Sequence, residues 1–173
     1  TPLADFRQQG RGGVGAKASA ARDEDFIEYV HQANMHSTMM FFTEQGRLYW
    51  TKVYELPEGN RQSKGRALQN MINIQKGDKV CAFIHVKNLN DMEYVQNHYL
   101  IFATKDGLMK KTTLESYSRP RANGIIALGL REGDRLIRVT LTDGNSQMLV
   151  ASYNGKVVRF PEDTVRPMGR TAT

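Results

Sequence analysis

The chain has 173 residues, 40% of them hydrophobic, with 24 Lys plus Arg against 18 Asp plus Glu and a formal charge of +6. That is enough apolar material for a core, and the basic balance favours polyanionic partners. No apolar stretch is long enough to span a bilayer, and the N-terminal segment lacks the apolar centre of a secretory signal. The one cysteine, Cys81, excludes an internal disulfide and reads as a small buried hydrophobe in a reducing compartment.

Residues 1 to about 25 differ from the rest. Gln8-Gln9-Gly10-Arg11-Gly12-Gly13-Val14-Gly15-Ala16-Lys17-Ala18-Ser19-Ala20 is rich in Gly and small side chains and lacks the periodicity of a helix or strand. It predicts a flexible arm over 1–25, closed by the charged junction Arg22-Asp23-Glu24-Asp25. The first strand-like material is expected at 26–30.

The body, 26–173, repeats itself. Met39-Met40-Phe41-Phe42-Thr43-Glu44-Gln45-Gly46 returns as Tyr99-Leu100-Ile101-Phe102-Ala103-Thr104-Lys105-Asp106-Gly107 and again as Gln147-Met148-Leu149-Val150-Ala151-Ser152-Tyr153-Asn154-Gly155. Each copy is an apolar run, a Thr or Ser, two variable residues and a Gly. Asp106-Gly107 and Asn154-Gly155 are hairpin signals, and Gln45-Gly46 is a weaker one. The strand after each turn carries basic residues: Arg47 and Lys52, then Lys110 and Lys111, then Lys156 and Arg159. The first of these, from Arg47 to Tyr54, alternates as a strand with one buried and one wet face does.

Two further marks recur. A later Gly (Gly65, Gly124, Gly169) follows basic loop residues: Arg61 and Lys64, Arg119 and Arg121, and Arg166. Then Lys76-Gly77-Asp78-Lys79-Val80 is matched by Glu132-Gly133-Asp134-Arg135-Leu136. One unit is roughly four strands over about 50–60 residues, inside the range of propeller-like arrays. The units fall at about 26–95, 96–145 and 146–173, with 86–93 expected to be a surface loop inserted in the first. The third copy stops at Thr173 without a Gly-Asp mark and the chain opens on Thr1, so the expectation is a segment of a longer array. Unpaired blade edges make self-association of such a segment an expectation too.

With these marks in place, the arm becomes specific. Gln9-Gly10-Arg11-Gly12-Gly13-Val14-Gly15 resembles the Gln-rich, Arg-Gly-Gly box at the start of the C-terminal domain of DNA gyrase A. Gln9, Arg11, Gly12, Gly13 and Gly15 match that pattern, while Gly10 and Val14 stand where the family has basic residues and Lys17 partly replaces the charge. The segments 54–66 and 164–171 resemble the family's blade loops. The resemblance implies an all-β, propeller-like β-pinwheel, here about two complete blades and part of a third. It implies duplex DNA wrapped on a basic rim, so that the intact ATP-dependent type II topoisomerase introduces negative supercoils. It also implies, as partners, the remainder of gyrase A together with gyrase B, in a bacterial cytoplasm at the nucleoid. The family's catalytic tyrosine lies in another domain, so no catalytic residue is expected here. No cofactor is expected in this segment, ATP and Mg being used elsewhere in the holoenzyme.

The candidate DNA-binding residues follow from repeat and box together. They are Gln9, Arg11, Gly12, Gly13, Gly15 and Lys17 in the arm, and Arg47, Lys52, Lys64 and Arg66 in the first unit. The second unit supplies Lys110, Lys111, Arg119 and Arg121, and the third Lys156, Arg159, Arg166 and Arg170. Lys and Arg at phosphates release counterions, giving binding that depends on salt and not on sequence. Other chemistries lack support. Gly10-x-Gly12-x-x-Gly15 has no strand-turn-helix context, so it is not a nucleotide loop. His31, His36, His85 and His98 lack ligand spacing with Cys81, so no metal site is expected. Tyr49, Trp50 and Phe160 read as blade core. The alternatives are the corresponding domain of topoisomerase IV and a propeller serving as a protein-interaction platform.

Overall fold

A computed structural model describes residues 1–16, 26–60 and 62–172. The described chain is almost entirely β. The first unit contributes β1 (Thr38–Thr43), β2 (Arg47–Lys52) and β3 (Val80–Val86). The second contributes β4 (Tyr99–Thr104), β5 (Met109–Thr113), β6 (Ile125–Ile126) and β7 (Leu136–Thr142). The third contributes β8 (Gln147–Ala151) and β9 (Val157–Pro161). The all-β pinwheel expectation holds.

Sheet order shows what kind of array this is. The first sheet runs β3-β1-β2-β6, so its edge strand comes from the second unit. Arg47 pairs with Ile126 and Leu48 with Ile125, and the Ala127 N–H donates to the Gly46 carbonyl at 2.7 Å. The second sheet, β5-β4-β7, also receives the third unit, but through an isolated parallel bridge: Pro167 bridges Lys111, and the Met168 N–H donates to the Lys111 carbonyl at 2.8 Å. β8 and β9 pair with each other.

The recurring residues turn out to be one hydrogen-bonded device. In each hairpin the Gly has positive φ (Gly46 77°, Gly107 84°, Gly155 78°), which its lack of a Cβ permits. The Thr or Ser hydroxyl accepts the N–H of the residue just past that Gly: Thr43 from Arg47, Thr104 from Leu108, Ser152 from Lys156. The Asp of the Gly-Asp mark then reaches back to the hairpin turn of its own unit. Asp78 Oδ1 accepts from the Gln45 N–H and Asp134 Oδ1 from the Asp106 N–H, each also accepting from the N–H that follows it. Register shifts recur at equivalent places, beside Thr43 and Thr104.

Burial opposes ionisation of Asp134, but hydrogen bonds from Thr104 and from the Asp106 and Arg135 N–H groups outweigh it and hold its carboxyl below the usual range. A depressed carboxylate contributes stability above its unfolded-state pKa and loses it as pH falls through the folded value. Acid titration of the native chain is therefore expected to lower stability as pH falls from about 5. Asp134→Asn is expected to flatten part of that dependence. Urea melts at stepped pH check it, and an identical pH profile for the variant would contradict the role given to Asp134.

The main core lies between the first two sheets and joins Met40, Phe42 and Leu48 to Leu100, Phe102, Leu114, Tyr117 and Leu136. A second cluster covers the other face of the first sheet with Met39, Phe41, Tyr49 and Ile72. β2 therefore has no wet face, contrary to the alternation in its sequence: Leu48 and Tyr49 are both buried because each side of the strand has a cover. Tyr49 and Trp50 are blade core as expected, the Trp50 indole donating to the Tyr117 carbonyl at 3.1 Å. Tyr117, fully buried, donates its hydroxyl to the Ala127 carbonyl at 2.8 Å, and burial keeps that phenol protonated well above its ordinary range. Tyr117→Phe leaves a buried carbonyl without its donor, at an expected cost of about 1–3 kcal/mol in chemical denaturation. A change near zero would mean that this bond does not help dock the second unit on the first.

Three further expectations are corrected. Residues 26–30 form no strand: this stretch is irregular, and the first strand starts at Thr38. Tyr29 and His31 instead stack beside Phe83 at centroid distances of 5.3 and 5.7 Å. The insertion after β3 is more than a surface loop. It carries α1 (Met92–Gln96), capped by Asp91, and buries Leu89 and Val95 in the main core. Cys81 is half-buried rather than buried, though loss of solvation still pushes its thiol up to about 12.

Candidate nucleic-acid interface

The basic loop residues gather at equivalent places in successive units. In the first unit, Arg66 lines a cleft of about 450 Å³ with Thr51, Glu55, Pro57, Asn70 and Met71. In the second, Arg119 and Arg121 line a concavity of about 310 Å³ with Ser116, Ser118, Glu115, Met92 and Ile125. Arg170 of the third unit joins that same concavity, because its segment crosses onto the second sheet. Its guanidinium Nη1 donates to the Ile126 carbonyl at 2.6 Å, which ties the side chain to the crossing strand. Three arginines from two units thus line one hollow with Ser116 and Ser118. The one carboxylate on it, Glu115, accepts a bond from Gln96 Nε2 at 3.3 Å.

Lys64, Arg66, Arg119, Arg121, Lys156, Arg159 and Arg166 are exposed, while Lys52 and Arg170 are half-buried. Arg47 is half-buried as well: its Nη2 donates to the Asn123 carbonyl at 3.1 Å and its Nε to the Tyr49 hydroxyl at 3.2 Å. That side chain ties the crossing strand down, so part of its fork is already used. Arg61 lies outside the described residues.

Two residues of the predicted set do not belong to a solvent-facing row. Lys110 and Lys111 are only 5% and 3% exposed. Lys110 Nζ donates to the Arg170 and Ala172 carbonyls at 2.5 and 2.6 Å, and Lys111 Nζ pairs with Glu162 at 2.9 Å. Adjacent strand residues point to opposite faces, and β5 is covered on both, so both side chains turn inward. Burial, helped by nearby Arg170, lowers the pKa of Lys110. Sequence offered a basic pair on a strand and nothing to show that its acceptors lie in the next unit. The hydroxyls of Ser116 and Ser118 were missed in turn, although serine stands beside the basic loop in two of the repeats (Ser63, Ser118).

The Gly-rich box is a closed loop. Gln9 Oε1 accepts the Gly15 N–H at 2.8 Å, and the Gly13 N–H donates to the Gly10 carbonyl at 3.1 Å. Gly12 and Gly15 have φ of 88° and 80°. Gln9 thus acts within the loop, while Arg11, Gly12, Gly13 and Gly15 are exposed on it. Lys17 lies outside the described residues. Thr1 Oγ1 donates to the Gly59 carbonyl at 3.0 Å, placing the arm's start at the first unit's basic loop.

Units of β-strands that pass an edge strand back to the preceding unit, with arginines collected at each crossing, define a repeat domain of the β-pinwheel kind. The family described as DNA gyrase C-terminal domain, beta-propeller, matches residues 1–34, 37–87, 98–143 and 147–173, and the chain belongs to it. DNA gyrase A of Salmonella typhimurium is 45% identical over 172 residues, covering 99% of this chain and 19% of its own length. DNA gyrase A of Haemophilus influenzae is 44% identical over the same span, again covering 99% of this chain and 19% of its own length. The chain thus spans about a fifth of the relatives it matches. Among solved structures, the C-terminal domain of DNA topoisomerase IV superposes with a TM-score of 0.76 at 26% identity, over 91% of this chain and 47% of that one. The DNA gyrase A C-terminal domain superposes with a TM-score of 0.68 at 16% identity, over 99% and 53%, and speaks to the fold. The relatives more than 40% identical over nearly the whole chain are gyrase A proteins, and the topoisomerase IV alternative is not better supported.

Proposed function

We propose that this chain is a DNA-binding and DNA-wrapping segment of a gyrase A protein. The observation that carries the reading is the convergence of Arg119, Arg121 and Arg170, from two units, on one hollow. Guanidinium forks suit phosphate oxygens, and such contacts hold the DNA backbone without reading bases. Arg66 occupies the equivalent cleft one unit earlier. Successive clefts offer a row of phosphate seats. Bending a site of 20–30 bp by 40–90° costs on the order of 1–6 kcal/mol, so a row of contacts is needed to hold the curve. Arg11 on the Gly-rich loop supplies a further contact from the arm. Within a holoenzyme, the remainder of gyrase A together with gyrase B supplies the catalytic tyrosine, ATP and Mg chemistry and strand passage, at the bacterial nucleoid. This segment contributes the DNA path.

Fluorescence anisotropy with duplexes of unrelated sequence, from low to moderate salt, tests the reading. Affinities should agree between sequences and fall steeply with salt, the slope growing by about 0.9 per phosphate neutralised. Salt-insensitive binding, or none, would return the domain to the protein-platform class.

A further inference from the structure

We propose that Lys110, Lys111 and Glu162 form a latch that positions Arg170 beside Arg119 and Arg121, and so sets the DNA path between the second and third units; this rests on the DNA-binding reading above. β8 and β9 are poorly buried, with Leu149, Val157 and Val158 exposed by 68%, 61% and 55%. The third unit therefore lacks the apolar docking that holds the second to the first. What attaches it is polar. Lys110 holds the Arg170 and Ala172 carbonyls, one on each side of the residue after Arg170, and so fixes the backbone that carries this arginine.

On the other face of the strand, Lys111 meets Glu162, which stands directly after β9. The Glu162 carboxylate also accepts from Thr142 Oγ1 at 2.6 Å and from the Ser146 N–H at 3.2 Å, closing β5, β7 and the third hairpin around one buried charge. Lys111 Nζ further lies 4.3 Å from the Tyr99 ring centroid. Counted from the hairpin Gly, Lys111 is the counterpart of Trp50, and Glu162 the counterpart of Leu114. The first joint uses Trp50 and Leu114 in the apolar core; the second uses an ion pair with side chains 4% and 0% exposed. A buried pair gains little net stability over apolar residues of similar size, but losing one partner strands the other charge, so it enforces one arrangement.

The test is DNA binding by the 173-residue chain across a salt series, with hydrogen exchange of free protein over 162–172. Glu162→Gln removes a negative charge, so bulk electrostatics predicts tighter binding. The latch predicts the reverse: binding weaker by roughly tenfold, a salt slope shallower by about 1 as the Arg170 contact is lost, and faster exchange at Met168. Lys111→Met combined with Glu162→Leu keeps the net charge and copies the apolar joint; it should bind within about twofold of wild type. Equal or tighter binding by Glu162→Gln, or its exchange unchanged, would overturn the latch. So would a double variant as weak as Glu162→Gln, since Lys111 would then act on phosphate directly. Absence of salt-dependent binding by the wild type would instead sink the DNA-binding reading, and the latch's role in it, while the exchange data would still report whether the latch closes.

Discussion

Replacing Arg119, Arg121 and Arg170 together with alanine is expected to make the salt slope of DNA binding shallower by about 2.7, at 0.9 per phosphate contact. At moderate salt the affinity should fall by about a hundredfold. Arg119 and Arg121 are exposed, so their loss should leave stability within about 0.5 kcal/mol and the effect belongs to binding. Arg170 is different, because its guanidinium also holds the Ile126 carbonyl. Arg170→Lys is the matching control: it keeps the charge, loses the planar fork and should recover part of the slope. Anisotropy titrations across salt check both. A triple variant with the wild-type slope would mean that this hollow does not seat phosphate, whatever else binds DNA on the chain.

The second large effect concerns the crossing strand itself. Gly124 has φ of 67°, and a Cβ there would lie 2.6 Å from the Leu48 carbonyl oxygen and 2.7 Å from the Tyr49 ring. The oxygen is backbone of β2, and the ring is buried in the second cluster, so neither can yield cheaply. Gly124→Ala therefore combines left-handed backbone strain with overpacking, and about 2–5 kcal/mol of destabilisation is expected. For a chain of this size that lowers Tm by roughly 5–15 °C. The counterpart in the third unit, Gly169, has open space around its Cβ direction and no positive φ, so Gly169→Ala should change little. Thermal unfolding of the two variants side by side is the check. Equal effects would contradict the close approach of the crossing strand to β2.

How much of this was legible in sequence differs by residue. The hairpins were, because Gly46, Gly107 and Gly155 sit at a fixed offset from a Thr or Ser. The Gly-Asp marks were visible as repeats but their work was not: a side-chain acceptor aimed at a turn half a unit away leaves no periodicity. The exchange of edge strands was hidden for a similar reason. β6 is two residues long and pairs with β2 of another unit, so no local pattern announces it. The repeat marks Arg119 and Arg121 before one Gly and Arg170 after the next, but only the crossing shows that they line one hollow. Lys110 and Lys111 misled because a lysine on a strand usually points at water, and here both faces of β5 are covered. The arm's box gave Gln9 as a matched position, and its side chain proves to close the loop on Gly15.

Ligation of nicked circular DNA with increasing amounts of this chain, followed by reading the linking number, is the direct test of wrapping. A shift towards positive linking number is expected, one that grows with bound protein, weakens with salt and is lost in the Arg119/Arg121/Arg170 alanine variant. Salt-dependent binding with an unshifted linking number would contradict wrapping by this segment, leaving it a surface that holds DNA without directing its path.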